Sequence, residues 1–183
     1  MEKLISKFNI LTRRAYYFFR YKHSEEILAC KVPKKLGSKG LTLIKHFEGF
    51  YSKPYLCPAG VATVGYGTTY YANGRRVTLH DPYITEQEAS RLLADTLTSY
   101  EKAVDGYCTD TLNQNQFDAL TSFCYNLGSG NLKVSTLLKK VNKDVNDPTI
   151  RLEFMKWTRA NGKILKGLVT RRAAEADLYF TTP

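Results

Sequence analysis

A chain of 183 residues with 43% hydrophobic content can bury the core of one domain, or of a small domain with an appendage. Its formal charge of +10 at pH 7 favours anionic partners, such as nucleic acid, phospholipid headgroups or acidic cell-wall polymers, without choosing among them. Its apolar runs are too short to cross a bilayer, and its charged start lacks the features of a secretory signal. We therefore expect a protein made in the cytoplasm and not exported by a signal of its own.

The positive charge is concentrated near the N-terminus. Residues 1–40 carry ten Lys and Arg against three Asp and Glu, a net charge of +7. Apolar residues recur there at the spacing of one helix face, namely Leu4, Phe8, Leu11, Ala15 and Phe18. Basic residues occupy the opposite face, namely Lys7, Arg13, Arg14 and Arg20. We expect residues 1–36 to be a basic amphipathic helical extension that binds an anionic wall or membrane surface, with simple packing on the rest of the chain as the alternative.

From residue 37 onward the pattern predicts an α+β domain that is mostly helical and contains a small antiparallel sheet. A first helix is expected through residues 41–50, with Glu48 in its last turn. Pro and Gly punctuate the short apolar stretches of residues 51–80, which is typical of such a sheet. Thr85 and Glu88 then form a capping box before a strongly periodic helix. Further helices are predicted around residues 111–128, 135–142, 148–157 and 167–180.

The four cysteines, Cys30, Cys57, Cys108 and Cys124, have no C-x-x-C spacing. Three histidines are too few to complete a zinc site with cysteines so arranged. We expect free thiols, no bound metal and no cofactor.

Glu48 opens the stretch EGFYSKPYLCPAGVATVGYG, in which aromatic and small residues surround a single carboxylate. A glycine-bearing hairpin after a helix can fold back and place that carboxyl at the edge of a groove. Carboxyl groups held against aromatic neighbours lose hydration and stay protonated at higher pH, which suits a general acid. Glycoside hydrolysis needs such an acid and a second group on the other face of the sugar. The downstream candidates for the second group are Cys57 and Thr63.

The spacing of Glu48, Cys57 and Thr63 resembles the catalytic Glu, Asp and Thr of the phage-type, T4 lysozyme-like endolysins. Two more stretches agree: NQNQFDALTSFCYNLG at residues 113–128, and W-x4-G-K-x-L-x-G-L-x-x-R-R-x-x-E from Trp157 to Glu175. The resemblance extends over residues 41–180. Two departures are that cysteine stands where the family usually has aspartate, and that Thr68 follows VGYG where many relatives have histidine.

This resemblance implies a lysozyme-like fold and a muramidase, which hydrolyses the β-1,4 bond between N-acetylmuramic acid and N-acetylglucosamine in bacterial peptidoglycan. Glu48 would protonate the glycosidic oxygen, and Cys57 with Thr63 would position or activate water. The implied substrate-binding residues are Tyr125, Ser135 and Arg172. Arg172, in preference to Arg171, is expected to pack near Glu48. The resemblance further implies a monomer that binds no nucleic acid and reaches the wall from the host cytoplasm with the help of a holin.

Three alternatives stay open from the residues. A lytic transglycosylase works with one glutamate and lets the muramyl 6-hydroxyl attack, so the missing aspartate is compatible with that reaction. Cys57 together with His46 is compatible with a cysteine peptidase, which needs a nucleophile, a base and an orienting group. A nonhydrolytic protein could bind wall or nucleic acid through its basic surface alone.

Overall fold

The computed structural model describes residues 34–109 and 111–182. The predicted helical extension therefore lies, up to residue 33, outside the described residues. The part that is described contains seven helices and two small antiparallel sheets. The helices are α1 (Ser38–Glu48), α2 (Glu86–Tyr107), α3 (Gln114–Leu127), α4 (Ser129–Val134), α5 (Thr136–Val141), α6 (Ile150–Met155) and α7 (Lys166–Phe180). The strands are β1 (Tyr51–Leu56), β2 (Ala62–Gly65), β3 (Arg159–Ala160) and β4 (Lys163–Ile164).

The predicted α+β class, mostly helical with a small antiparallel sheet, is confirmed. Glu48 lies in the last turn of α1, as predicted, although the helix spans Ser38–Glu48 and not residues 41–50. The Thr85–Glu88 capping box is present in full: the Thr85 side chain accepts from the Glu88 N–H, and the Glu88 side chain accepts from the Thr85 N–H. None of the described helices has the length and apolar character needed to cross a membrane.

The first sheet is smaller than the interval of residues 51–80 suggested. Strands β1 and β2 pair with Tyr55 opposite Thr63, and a bulge interrupts the ladder between Tyr51 and Tyr55. The residues that follow form turns with two isolated bridges. Asp81 organises these turns, because its carboxylate accepts from Arg75 Nη1 at 2.8 Å and from the Tyr71 hydroxyl at 2.8 Å. The Arg75 hydrogen bond is the main reason that the pKa of Asp81 lies well below its usual range.

The second sheet, β3 with β4, was not predicted. Asn161 and Gly162 both have positive φ, 50° and 77°, and they form the two-residue turn between these strands. An Asn-Gly pair between short strands is a strong hairpin signal, so the sequence contained the information. The strands have only two residues each, too few to show the alternation of apolar and polar residues that is typical of a strand.

Helix α3 forms the centre of the domain, since every residue from Asn115 to Cys124 is buried. It packs against α1, α2, α4 and α7. The larger apolar cluster includes Phe117, Leu120, Phe123, Leu132, Leu137, Ile150, Phe154 and Tyr179. A smaller cluster joins α1, the end of β2 and α2, and it contains Ile44, Tyr66, Ala89, Leu93 and Leu97. Both ends of the β1–β2 hairpin are therefore attached to the helical core.

The start of α1 is capped by a side chain from α3. The buried Asp118 carboxylate accepts from the Gly37 N–H at 2.8 Å and from the Gly40 N–H at 3.1 Å. These amides belong to the first turn, which has no partners inside the helix, and a negative charge there is favourable. The Leu36 N–H and Lys35 Nζ donate to Glu101 of α2 at 2.9 Å and 2.8 Å. The chain entering α1 is thus fixed to two other helices.

Gly40 permits this close approach of α1 to α3, and its replacement should be costly. A Cβ at position 40 would lie 2.7 Å from Asp118 Cβ and 2.6 Å from Leu36 Cδ1. We expect Gly40→Ala to lower the free energy of unfolding by about 1–3 kcal/mol, because overpacking must move the cap. Chemical denaturation measures this. The matched control is Gly106→Ala in α2, where a Cβ would meet nothing within 4 Å and alanine should be neutral or slightly stabilising. Equal stability of the two variants would contradict the prediction.

Candidate active site

Glu48 occupies the C-terminal end of α1, at the point where the chain turns into β1. Gly49 follows with φ 71°, a backbone conformation that a side chain would strain, and its N–H donates to the Lys45 carbonyl. The Glu48 side chain is 23% exposed, so it faces both solvent and protein. Its Oε1 lies 2.6 Å from Nη1 of Arg171 on α7. This charge-assisted hydrogen bond joins the end of α1 to α7.

Arg171, and not Arg172, is the partner of Glu48, so the expected choice between the two was wrong. The guanidinium of Arg171 also donates through Nε to Glu175 at 3.2 Å, and it lies 5.5 Å from the centre of the Phe47 ring. Successive helix residues point about 100° apart, so only one of two adjacent arginines can face Glu48. Arg171 is directed to the edge of the helical core, where α1 ends.

Arg172 is directed into the core and has no exposed surface. Its Nη2 donates to Glu175 Oε1 at 2.9 Å and to Asn126 Oδ1 at 3.0 Å, and its guanidinium lies 4.9 Å from the centre of the Phe123 ring. Burial lowers the pKa of Arg172 to about 10, although the charge of Glu175 opposes the shift. The prediction that Arg172 binds substrate is corrected by this burial, since substrate cannot reach the side chain.

Tyr125 lies beside Glu48, as its position at the end of α3 allows. Its hydroxyl donates to the Tyr66 carbonyl at 3.1 Å. A Cβ added to Gly67 would lie 3.5 Å from the Tyr125 hydroxyl and 3.8 Å from Glu48 Oε2, so the three residues meet at one point. Burial, followed by the negative charge of Glu48, raises the pKa of Tyr125. Tyr125 therefore stays neutral and can act as a polar neighbour of the carboxylate.

Cys57 and Thr63 lie on the two arms of the β1–β2 hairpin. Cys57 is a free, half-buried thiol immediately after β1, and its N–H donates to the Val61 carbonyl at 3.0 Å. Thr63 is buried on β2, and its hydroxyl donates to the same carbonyl at 3.0 Å. The backbone amides of Val61 and Ala59, with a smaller contribution from the Thr63 hydroxyl, lower the pKa of the Cys57 thiol. The hairpin thus favours the thiolate, which is the nucleophilic and basic form.

Tyr55, on β1, interacts electrostatically with both Cys57 and Glu48. Its pKa is raised first by burial and then by the negative charges of Tyr51, Cys57 and Glu48. The Tyr55 phenol therefore experiences the field of both candidate catalytic groups. Its ring packs against Tyr51 with 4.4 Å between centres. Of the aromatic neighbours expected around Glu48, Phe47 lies against the guanidinium of Arg171, whereas Phe50 and Tyr51 are exposed.

Ser135 has a structural position that the sequence did not reveal. Its hydroxyl accepts from the Leu138 N–H at 3.0 Å and donates to the Leu132 carbonyl at 2.7 Å, so it caps helix α5. The residue is 3% exposed. This geometry gives no support to the prediction that Ser135 binds substrate, because its hydroxyl is used in capping α5.

His46 lies on another face of α1 from the site. It lines a shallow apolar groove together with Leu43, Leu178 and Thr181. Cys57 is not part of that groove, so the geometry gives no support to a cysteine peptidase pairing. In residues 34–109 and 111–182, no three His, Cys, Asp or Glu side chains are grouped so that they could hold a metal ion.

The thiols differ enough to be distinguished chemically. Burial raises the pKa of Cys124 to about 12, whereas the pKa of Cys57 is lowered. At neutral pH we expect iodoacetamide to modify Cys57 in the native protein at least about tenfold faster than Cys124, because only thiolate reacts. Peptide mapping by mass spectrometry measures both sites. In the denatured protein, the control, the two rates should converge; equal rates in the native protein would contradict the prediction.

Known proteins resemble this chain over the region that contains the site. The phage lysozyme family model matches residues 45–175. The chain is 40% identical over 149 residues to the endolysin of Acyrthosiphon pisum secondary endosymbiont phage 1, a match that covers 79% of this chain and 97% of that protein. It is 38% identical over 146 residues to the endolysin of Bacillus phage B103, covering 80% of this chain and 54% of that protein. The chain thus spans about half the length of the B103 relative.

The fold agrees with a solved structure of the same kind. The endolysin from Escherichia coli O157:H7 phage FAHEc1 superimposes with a TM-score of 0.75 and 34% identity, covering 80% of this chain and 94% of that chain. Sequence and fold lead to the same assignment, and the chain belongs to the phage lysozyme family.

Proposed function

We propose that the protein is an endolysin of the muramidase type, which hydrolyses the β-1,4 bond between N-acetylmuramic acid and N-acetylglucosamine in bacterial peptidoglycan. The observation that carries the proposal is the position of Glu48: a partly exposed carboxyl at the end of α1, 2.6 Å from Arg171 and close to Gly67 and the Tyr125 hydroxyl. Membership of the phage lysozyme family supports the reaction and the substrate.

Glu48 is the general acid in this proposal. It gives its proton to the glycosidic oxygen, and the sugar leaves as the bond breaks. The carboxylate that remains is stabilised by Arg171 Nη1, which is already within hydrogen-bond distance. Tyr125 is proposed to bind substrate, since its side chain is half-buried beside Glu48.

Cys57 and Thr63 supply the second group of the proposed mechanism. The lowered pKa of Cys57 increases the fraction of thiolate near neutral pH, and a thiolate can accept a proton from water. Thr63 supports that form through its hydroxyl and shares the Val61 carbonyl with the Cys57 backbone. Together they position or activate the water that attacks the sugar from the face opposite Glu48.

Endolysins of this family act on the cell wall, and we infer the same site of action here. Production in the host cytoplasm, holin-dependent passage, a monomeric state and the lack of nucleic-acid binding stay predictions. So does the division into an extension at residues 1–36 and a catalytic domain at residues 37–183. The basic residues proposed to bind an anionic surface, Lys7, Arg13, Arg14 and Arg20, lie outside the described residues.

Purified protein should release muropeptides with reducing ends from sacculi, and Glu48→Gln should release almost none. Removal of the proton donor takes away a contribution of about 10²- to 10⁴-fold to the rate. Mass spectrometry of the soluble fragments measures the products, and circular dichroism shows whether the variant keeps its fold. Products with 1,6-anhydro ends would show that the protein is a lytic transglycosylase and not a hydrolase. Near-normal activity of the folded glutamine variant would refute the role of Glu48.

Substitution of Cys57 tests the second group. We expect Cys57→Asp to keep much of the activity, because a carboxylate can also activate water, and Cys57→Ala to lose most of it. Rates of wall lysis at equal protein concentration compare the two variants, which differ from the wild type at the same exposed turn. An alanine variant as active as the wild type would assign Cys57 to packing alone.

A further inference from the structure

Behind the Glu48–Arg171 pair lies a buried ionic cluster that the proposed reaction does not use directly. It consists of Arg171, Arg172 and Glu175 on α7 with Ser122 on α3. Glu175 has no exposed surface, and its Oε1 accepts from Ser122 Oγ at 2.8 Å, Arg172 Nη2 at 2.9 Å and Arg171 Nε at 3.2 Å. Its Oε2 lies 2.9 Å from Arg172 Nε. Such a cluster is costly to bury, which makes its position next to Glu48 informative.

Arg171 connects the buried cluster to the candidate acid. Its Nε edge is held by Glu175, which lies one turn along the same helix, and its Nη1 contacts Glu48 at 2.6 Å. Its Nη2 approaches the Ser122 carbonyl at 3.5 Å. A planar guanidinium held along one edge has few orientations left. Glu175 therefore determines the direction in which the other edge of Arg171 points.

The charged side chains near Glu48 alternate in sign from one ion pair to the next. Arg171 faces Glu48, Glu175 faces Arg171, and Arg172 faces Glu175. Among the residues that the structure describes, Tyr55 from β1 and Tyr125 from α3 also interact electrostatically with Glu48. Burial raises the pKa of Glu175, whereas the charges of Arg172 and Arg171 lower it, so the ionised form of this carboxyl depends on both arginines.

We propose that Glu175 is a positioning residue for the reaction: it holds the Nε edge of Arg171, directs Nη1 at Glu48 and offsets part of the charge of Arg171. This inference rests on the proposed role of Glu48 as acid. Arg172 acts in the opposite direction, because it takes part of the charge of Glu175.

Two variants should move the pH–rate profile in opposite directions. In Glu175→Gln the full charge of Arg171 favours ionised Glu48, so the alkaline limb of kcat/KM should move to lower pH by about one unit, roughly a tenfold loss of rate above the limb. In Arg172→Gln, Glu175 no longer shares its charge with Arg172 and offsets more of the charge of Arg171. The alkaline limb should therefore move to higher pH. Glu175→Asp keeps the charge and should leave the limb near that of the wild type.

The matched control is Glu153→Gln in α6, which removes another buried carboxylate from its ion pairs. Glu153 is 4% exposed and pairs with Lys156 at 2.7 Å, so its loss tests the effect of destabilisation alone. We expect the Glu153 variant to lower the melting temperature without moving the limb. Rates are measured on sacculi at fixed ionic strength, and circular dichroism confirms folding at the temperature used.

A readout without catalysis separates this inference from the proposed function. The ¹³C carboxyl resonance of Glu48, assigned by its loss in Glu48→Gln, should titrate at lower pH in Glu175→Gln and at higher pH in Arg172→Gln. If the wild type releases no muropeptides, the proposed function fails while the titration still tests the electrostatic coupling. Unmoved titration in the folded variants, shifts of the same sign, or failure of both variants to fold would each make the cluster structural only.

Discussion

Helix α1 is held by charged side chains at both of its ends, and the position of Glu48 depends on this. At its start, Asp118 binds the amides of Gly37 and Gly40. At its end, Glu48 binds Arg171. A helix fixed at one end could still rotate about its axis or slide, whereas two attachments to α3 and α7 determine both position and rotation. The position of the Glu48 carboxyl is therefore determined by the protein alone, before substrate binds.

The attachments at the two ends of α1 have different effects on the protein. The Asp118 cap satisfies amides that have no other partner, so it supports the stability of the fold. The Glu48–Arg171 pair joins a partly exposed carboxylate to a guanidinium that is 5% exposed, and behind it stands Glu175 with no exposure. Loss of one member of a buried ionic cluster typically costs about 3–5 kcal/mol, because it leaves a charge without a partner. The stability of the fold and the position of the Glu48 carboxyl therefore both depend on Arg171.

The sequence was sufficient for those features that local rules determine. The end of α1 at Glu48, the capping box at Thr85 and the family resemblance each follow from spacing. The errors arose where tertiary contacts decide. Arg171 and Arg172 are neighbours in sequence, and only the packing of α7 against α1 and α3 shows which one faces Glu48. The i, i+3 and i, i+4 spacing of Glu175 to the two arginines was a signal that could have been used.

Ser135 and Asp118 also have roles that depend on tertiary contacts and that the sequence alone does not reveal. The Ser135 hydroxyl is at the start of α5, and a serine before an apolar run is as typical of a helix cap as of a binding site. Asp118 lies inside a helix, where an acidic residue usually faces solvent; nothing local shows that it caps a helix that begins 80 residues earlier in the chain. Such roles depend on where two helices cross, which periodicity alone does not give.

The two groups proposed to act on the sugar belong to different parts of the molecule. Glu48 belongs to the helical framework, whereas Cys57 lies in an exposed turn that is attached to it through strands β1 and β2. Their separation is therefore determined by the backbone of Gly49 and by the bulged register of the hairpin.

A thiol is ordinarily a weaker acid than a carboxyl, with a pKa of ~8.5, so at neutral pH it needs hydrogen-bond donors that favour the thiolate. The turn provides them through the amides of Val61 and Ala59. Because the same turn both positions the sulfur and favours its ionised form, replacement of a carboxylate by cysteine at this position is compatible with catalysis only while the turn keeps its conformation.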